Sequence, residues 1–218
     1  MSAGVLVIGA GGLGTPVVRI LREAGVERIT VVDPDVVALE NLHRQILFRD
    51  EDLGRKKAEV CGERTGVEAL DLRVDDRNGR ALVSGRACVV DGTDNFADKY
   101  RFNDLCLAAG VPLVHAGAAQ FRGQVLLVRP GGPCLRCLLP EPPDAARDEC
   151  RFTGIFGPAA GLVGALAASE VLRVLSGDDA PSRLLLADLA TGRLDRARLR
   201  PLEGCVCAMP VAASRGSC

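Results

Sequence analysis

Near its start the sequence carries a run that few folds accommodate. Residues 4–8 (GVLVI) are apolar enough for a buried strand, and Gly9, Gly11 and Gly14 follow at once in the pattern G-x-G-x-x-G, with Gly12 as an extra small residue. Glycine permits a sharp strand-to-helix turn. It also lets the backbone approach a phosphate, whose charge the helix N-terminus favours. An amphipathic helix is predicted to about Ala24, closed by Gly25, and residues 28–33 (RITVVD) read as the next strand. That order implies a right-handed parallel crossover. Asp33 ends the second strand, where an acid is expected to hold ribose hydroxyls. Together these features point to an adenine nucleotide, with a tight turn that binds no ligand as the alternative, and leave NAD, FAD and ATP open. The run G-x-x-x-x-G-K-[ST] is absent, so ordinary P-loop chemistry is not the source of any ATP use.

Strand and helix patterns then alternate. A helix is predicted over 50–64, a strand over 67–72, a short helix near 77–84, a strand over 87–91, a helix over 96–109 and a strand over 111–115. Beyond Gly123 come a strand at 124–129, a long loop at 130–150 rich in Pro, Cys and charge, and a Gly/Ala-rich helix over 157–175. Strands at 183–188 and near 193–199 flank Thr191-Gly192, a hairpin signal. The expected fold is α/β: a Rossmann-like, doubly wound, mostly parallel sheet with an antiparallel C-terminal extension. One ATP-binding adenylating domain is expected over 1–218, with a Cys-rich loop and tail at 130–150 and 203–218.

Lys and Arg number 27 against 28 Asp and Glu, so nothing marks a nucleic-acid partner. Aromatic residues make up 3%, too few for a base-stacking platform. The apolar stretch 154–168 is too short for a membrane span, and no targeting segment is visible, so a cytoplasmic protein is expected. Nine cysteines in such a chain direct attention to spacing: Cys134 and Cys137 form C-x-x-C, and Cys205 and Cys207 form C-x-C. The first pair suits half of a tetrahedral zinc site, and the second joins it only through a tighter turn. Reduced or disulfide-linked thiols are the alternative. Cys61, Cys88 and Cys106 lie in apolar contexts and read as core. With only His43 and His115 in the chain, a histidine-based metal site or triad is not expected.

The choice among nucleotides turns on a cationic set that a nicotinamide enzyme does not need. Asn41-Leu42-His43-Arg44 and Gly54-Arg55-Lys56-Lys57 follow the second strand, and Asp91-Gly92-Thr93-Asp94-Asn95 ends a later one. Cations spread phosphate charge and a carboxylate holds magnesium. The ordered strings G-A-G-G-L-G, V-D-P-D, N-L-H-R-Q, G-R-K-K-A, D-G-T-D-N, C-L-R-C and the C-terminal Cys pair resemble the ThiF/MoeB/HesA family, relatives of ubiquitin-activating enzymes, from about residue 4 to 207.

The resemblance implies that ATP and Mg2+ are used to adenylate the C-terminal glycine of a ubiquitin-like sulfur-carrier protein ending in Gly-Gly, before thiocarboxylate formation. It makes Gly12 a nucleotide contact, Asp33 the ribose acid, Asn41 and Arg44 phosphate-facing residues, Lys57 the lysine at the nucleotide, and Asp94 the acid for magnesium and adenylation, with Asn95 beside it. Asp91 reads as structural, and Arg55 and Lys56 as solvated. The resemblance also implies structural Zn2+ on Cys134, Cys137, Cys205 and Cys207, a homodimer, and a sulfur donor protein as a further partner. Cys150, before Arg151-Phe152-Thr153-Gly154, matches a cysteine that in ThiF-like members links covalently to the carrier; a plain loop thiol is the alternative. Many members carry a preceding helix with an R-Y-x-R-Q-like motif whose Arg reaches the partner subunit's ATP. No such segment precedes the first strand in these 218 residues, and the expectation is a replaced Arg, reduced activity, or a segment that lies outside this sequence. The rival functions are a nucleotide-binding module without turnover and a dinucleotide-dependent oxidoreductase.

Overall fold

Strands β1 (Val5–Ile8) and β4 (Cys88–Asp91) form the middle of one eight-stranded sheet and are buried along their whole length. Their unbroken apolar runs suit strands covered on both faces. The computed structural model describes residues 3–143 and 154–208. The sheet order is β3-β2-β1-β4-β5-β6-β7-β8, with β2 (Ile29–Val32), β3 (Glu68–Leu70) and β5 (Leu113–Ala119) completing the parallel part. Strands β6 (Arg122–Val128), β7 (Arg183–Asp188) and β8 (Arg193–Arg198) add antiparallel, as the Thr191-Gly192 turn implied.

Helices cover both faces. On one lie α1 (Gly14–Glu23), α2 (Lys57–Thr65) and α6 (Gly157–Leu175), which bury Val17, Leu21, Val60 and Val163 against β1, β2 and β5. On the other lie α3 (Gly79–Val83), α4 (Phe96–Ala109) and α5 (Leu135–Leu138), with Phe102, Cys106 and Leu135 buried beside Leu6, Leu113 and Leu126. Cys61, Cys88 and Cys106 lie in these cores, as their contexts suggested. By length and hydropathy α6 could cross a membrane. Here its Ala159, Val163, Ala167 and Val171 are fully buried against α1, β5 and β6. Small residues permit that approach: a Cβ on Gly164 would lie 2.8 Å from Pro16 and 2.9 Å from the Leu13 carbonyl.

Two boundaries differ from the sequence reading. The helix expected over 50–64 is a short 3-10 turn at Asp50–Asp52 followed by a break, and α2 starts only at Lys57. Gly54 adopts a φ of 80°, and the buried Asp52 carboxylate is held by the Arg49 N–H (2.8 Å) and the Arg64 guanidinium (2.6 Å), so the chain leaves the helical path there. Arg55 pairs with Glu63 at 2.6 Å and Lys56 with Asp71 at 3.1 Å, so neither is merely solvated. The strand expected over 111–115 extends to Ala119 and turns at Gln120-Phe121 straight into β6. The small residues Ala116–Ala119 carry little strand propensity and are enlisted by pairing along β6. The loop expected over 130–150 contains α5.

Strand β6 accepts α6 through Gly123, where a Cβ would lie 2.0 Å from Val163 Cγ2. Gly123→Ala is therefore expected to destabilise the fold by about 1–3 kcal/mol through overpacking. Urea unfolding measures it. The double variant Gly123→Ala/Val163→Ala should recover part of the loss, and equal stability of Gly123→Ala and wild type would refute the contact.

Candidate active site

The C-terminal ends of β1, β2 and β4 converge on the glycine turn. Gly9 has a φ of 98°, and a Cβ on it would lie 3.1 Å from the Gly92 carbonyl. A Cβ on Gly14 would lie 1.8 Å from the Gly9 carbonyl oxygen, so only glycine fits between the turn and the start of α1. A Cβ on Gly12 would lie 3.1 Å from the Arg44 carbonyl oxygen and one on Gly11 would lie 3.5 Å from Gln45 Nε2, which seats the N-L-H-R-Q segment against the turn.

Asp33 leaves β2 beside this turn. Its Oδ2 accepts the Ala10 N–H at 2.7 Å and its Oδ1 accepts the Asp35 N–H at 2.8 Å. Burial pushes its carboxyl up from the ordinary value, against those two hydrogen bonds and the nearby Lys57. Lys57, buried at the first position of α2, donates to Asp35 Oδ2 at 3.1 Å. Arg44 donates to Asn41 Oδ1 at 2.6 Å and to the Glu40 carbonyl at 3.3 Å. Both acceptors are neutral, so among the described residues the guanidinium keeps an uncompensated charge beside Gly12. An uncompensated cation next to glycine N–H groups suits a phosphate.

Asp94 projects from the loop after β4. It is exposed, and among the described residues no hydrogen bond or ion pair engages it. Its neighbours are held firmly. The Gly92 N–H bonds the Ile8 carbonyl at 2.9 Å, and Asn95 caps α4 by accepting the Asp98 N–H at 2.8 Å. That cap occupies the Asn95 side chain, which the sequence reading assigned to the nucleotide.

Two residues that sequence reasoning did not bring to the site, Lys99 and His115, stand behind this loop on the Asp91 carboxylate. Asp91 Oδ1 accepts from the Thr93 N–H at 3.0 Å and from the Thr93 hydroxyl at 2.6 Å. Its Oδ2 accepts from Lys99 Nζ at 3.3 Å and lies 2.7 Å from His115 Nδ1. Burial opposes the charge on Asp91, but Lys99, His115 and Thr93 together outweigh it and hold the carboxyl well below the usual range. Burial lowers the basicity of His115, against the pull of Asp91. The signal available was register: Asp91 and His115 are paired residues on adjacent parallel strands.

The cysteines also converge. Cys134 Sγ lies 3.7 Å from Cys205 Sγ, and Cys137 Sγ lies 3.4 Å from Cys207 Sγ. All four sulfurs fall within 4.8 Å of one another. Tetrahedral zinc thiolate bonds of ~2.3 Å put sulfurs about 3.8 Å apart, so the set fits zinc. The tight turn that C-x-C requires is a 3-10 turn at Val206–Ala208. Helix α4 ties this cluster to the nucleotide end. Its Tyr100 hydroxyl donates to the Leu139 carbonyl (2.6 Å), its Asn103 Oδ1 accepts the Leu135 N–H (3.0 Å), and its Asp104 pairs with Arg136 (2.7 Å). Cys150 lies outside the described residues.

The ThiF family profile matches residues 1–207. The chain belongs to the ThiF family. It is 40% identical over 198 residues to the SAMP-activating enzyme E1 of Haloferax volcanii, covering 86% of this chain and 73% of that one. It is 42% identical over 202 residues to a sulfur carrier protein adenylyltransferase of Thermus thermophilus, covering 85% and 74%. Among solved structures it superposes on E. coli MccB with ATP at a TM-score of 0.78, with 22% identity over 95% of this chain and 66% of that one, a likeness of fold.

The Asp91 cluster makes a pH-dependent contribution with a defined sign. A carboxyl held low in the folded state stabilises above its unfolded pKa of about 3.9, and loses that contribution as pH falls through the folded value. Asp91→Asn should therefore lower the urea midpoint fully at pH 7, with the gap to wild type shrinking only below about pH 3.9. A gap already closed at pH 5 would refute the assignment.

Proposed function

We propose that this ThiF family chain is an adenylyltransferase that uses ATP and Mg2+ to activate the C-terminal glycine of a small ubiquitin-like sulfur-carrier protein. The observation that carries this is the glycine cradle flanked by Arg44, a cation paired only with neutral oxygens, and by the free carboxylate of Asp94. The relatives' names point to the same substrate class.

In this reading the ribose lies at Asp33 and the phosphates lie along the Gly11–Gly12 turn, facing Asn41, Arg44 and Lys57. Asp94 would hold Mg2+, which when bound would neutralise charge on the phosphates. A carboxylate oxygen of the carrier's terminal glycine attacks the α-phosphorus, the bond to the β-phosphate oxygen breaks, and pyrophosphate leaves. The chain contributes position and fixed charge rather than proton transfer. Zinc on Cys134, Cys137, Cys205 and Cys207 would serve structure, clasping residues 205–207 to α5. The proposal includes a homodimer, supported by the exposure of Phe156 (44%) and Leu162 (39%) near the start of α6. It also includes Cys150 as the thiol that links to the carrier when a sulfur donor protein is present, on sequence position alone.

ATP–pyrophosphate exchange with carriers ending in Gly-Gly tests the reading. Asp94→Ala is expected to cost on the order of 3 kcal/mol, or roughly a hundredfold, with Arg44→Ala and Lys57→Ala also impaired. Exchange at the wild-type rate in Asp94→Ala would overturn the assignment. Metal analysis of reduced protein is expected to find about one zinc per chain, lost in Cys205→Ser together with thermal stability. A metal-free wild type of equal stability would sink the zinc site.

A further inference from the structure

His115 has no part in the chemistry just described, yet it occupies a decisive place behind it. Asp91 receives two donors from Thr93 on Oδ1, while Lys99 and His115 meet on Oδ2. Four donors on two oxygens use the whole capacity of a carboxylate. The Thr93 pair defines the turn that leads to Asp94, and the pair on Oδ2 sets the direction in which the carboxylate faces that turn.

The two donors on Oδ2 differ. Lys99 has a second anchor, the Ala116 carbonyl at 2.8 Å. His115 has none: its Nε2 is buried and without a partner among the described residues. Burying an unbonded polar atom costs about 1–3 kcal/mol, and the position faces Leu126 across the β5–β6 ladder, where an apolar side chain would avoid that cost. Only the contact at Nδ1 offsets it. Ionised Asp91 has no proton to give, so the ring must carry its proton on Nδ1.

The rest of the loop restricts how it can respond. Gly92 is fixed by its bond to Ile8 and by its contact with Gly9. Asn95 is fixed as the cap of α4. When the Asp91 carboxylate turns, the slack falls on Thr93 and Asp94. Asp33 and the glycine turn, which hold the nucleotide, do not depend on it.

We infer that His115 is a positioning residue for adenylation: its Nδ1–H aims the Asp91 carboxylate at Thr93 and so sets where Asp94 meets the phosphates. The kinetic part of this inference rests on the adenylyltransferase reading. His115 touches no substrate and acts through Asp91.

Two variants and one spectrum test it. His115→Asn places an amide N–H where Nδ1 stands, and His115→Leu removes the donor while keeping the volume. In carrier-dependent pyrophosphate exchange, His115→Leu is expected to lower kcat roughly ten- to a hundredfold while KM for ATP stays within about twofold, and His115→Asn to return kcat to within about threefold of wild type. Nitrogen NMR of the intact protein is expected to show His115 as the neutral Nδ1–H tautomer at pH 7. The chain has two histidines, so His43→Gln assigns the second ring. An Nε2–H tautomer overturns the inference, as does wild-type kcat in His115→Leu, a loss expressed only in KM for ATP, or His115→Asn no better than His115→Leu. If His115→Leu does not fold, the tautomer and the His115→Asn kinetics decide. A wild type that shows no exchange with any carrier overturns the adenylyltransferase reading and the kinetic role together. Exchange in the wild type with an indifferent His115→Leu overturns the inference alone.

Discussion

Three stretches of backbone meet at the nucleotide end with no side chain between them. Gly9 rests on Gly92, Gly14 rests on Gly9, and Gly12 rests on the backbone of Arg44. A methyl group at any of these points would collide with or crowd a main-chain atom, and main chain cannot step aside as a rotamer can. The turn, the start of the loop bearing Asp94 and the segment bearing Arg44 are thereby brought together by backbone contact.

Charge is distributed accordingly. Deep acids are matched inside the protein: Asp91 by Lys99 and His115, Glu170 by Arg183, and Asp52 by Arg64. Such pairs add little net stability when intact and cost several kcal/mol when one partner is lost. The Arg44 cation, bonded only to neutral oxygens, and the exposed Asp94 anion lie at the rim of the glycine turn.

Much of this was legible in the sequence because it depends on local chemistry. The VLVI run, the glycine spacing, Asp33 at a strand end and the Thr191-Gly192 hairpin all act over a few residues. The helix break at Gly54 was not legible, since it depends on Asp52 being held by Arg64 twelve positions away. Nor was the extent of β5, whose small residues become strand only by pairing with β6. His115 was not legible because two histidines in the whole chain point to no histidine-based metal site or triad, and its role depends on the register of Asp91 and His115, 24 residues apart on adjacent strands. Asp91 was read as structural, and its four donors bear that out. The cysteine cluster was readable as residue types, but the turn that lets C-x-C close appears only in three dimensions.

The strand order also bears on how the chain is made. From β4 onward each new strand joins the edge left by its predecessor, so the sheet can lengthen in step with synthesis. The cysteine cluster breaks that sequence, because Cys134 and Cys137 wait for Cys205 and Cys207, about seventy residues later. During that interval two thiols stand ready without partners, exposed to whatever oxidant or metal the compartment holds. The nascent chain therefore meets its redox surroundings at α5 before it is whole, and the arrival of residues 205–207 ends that exposure.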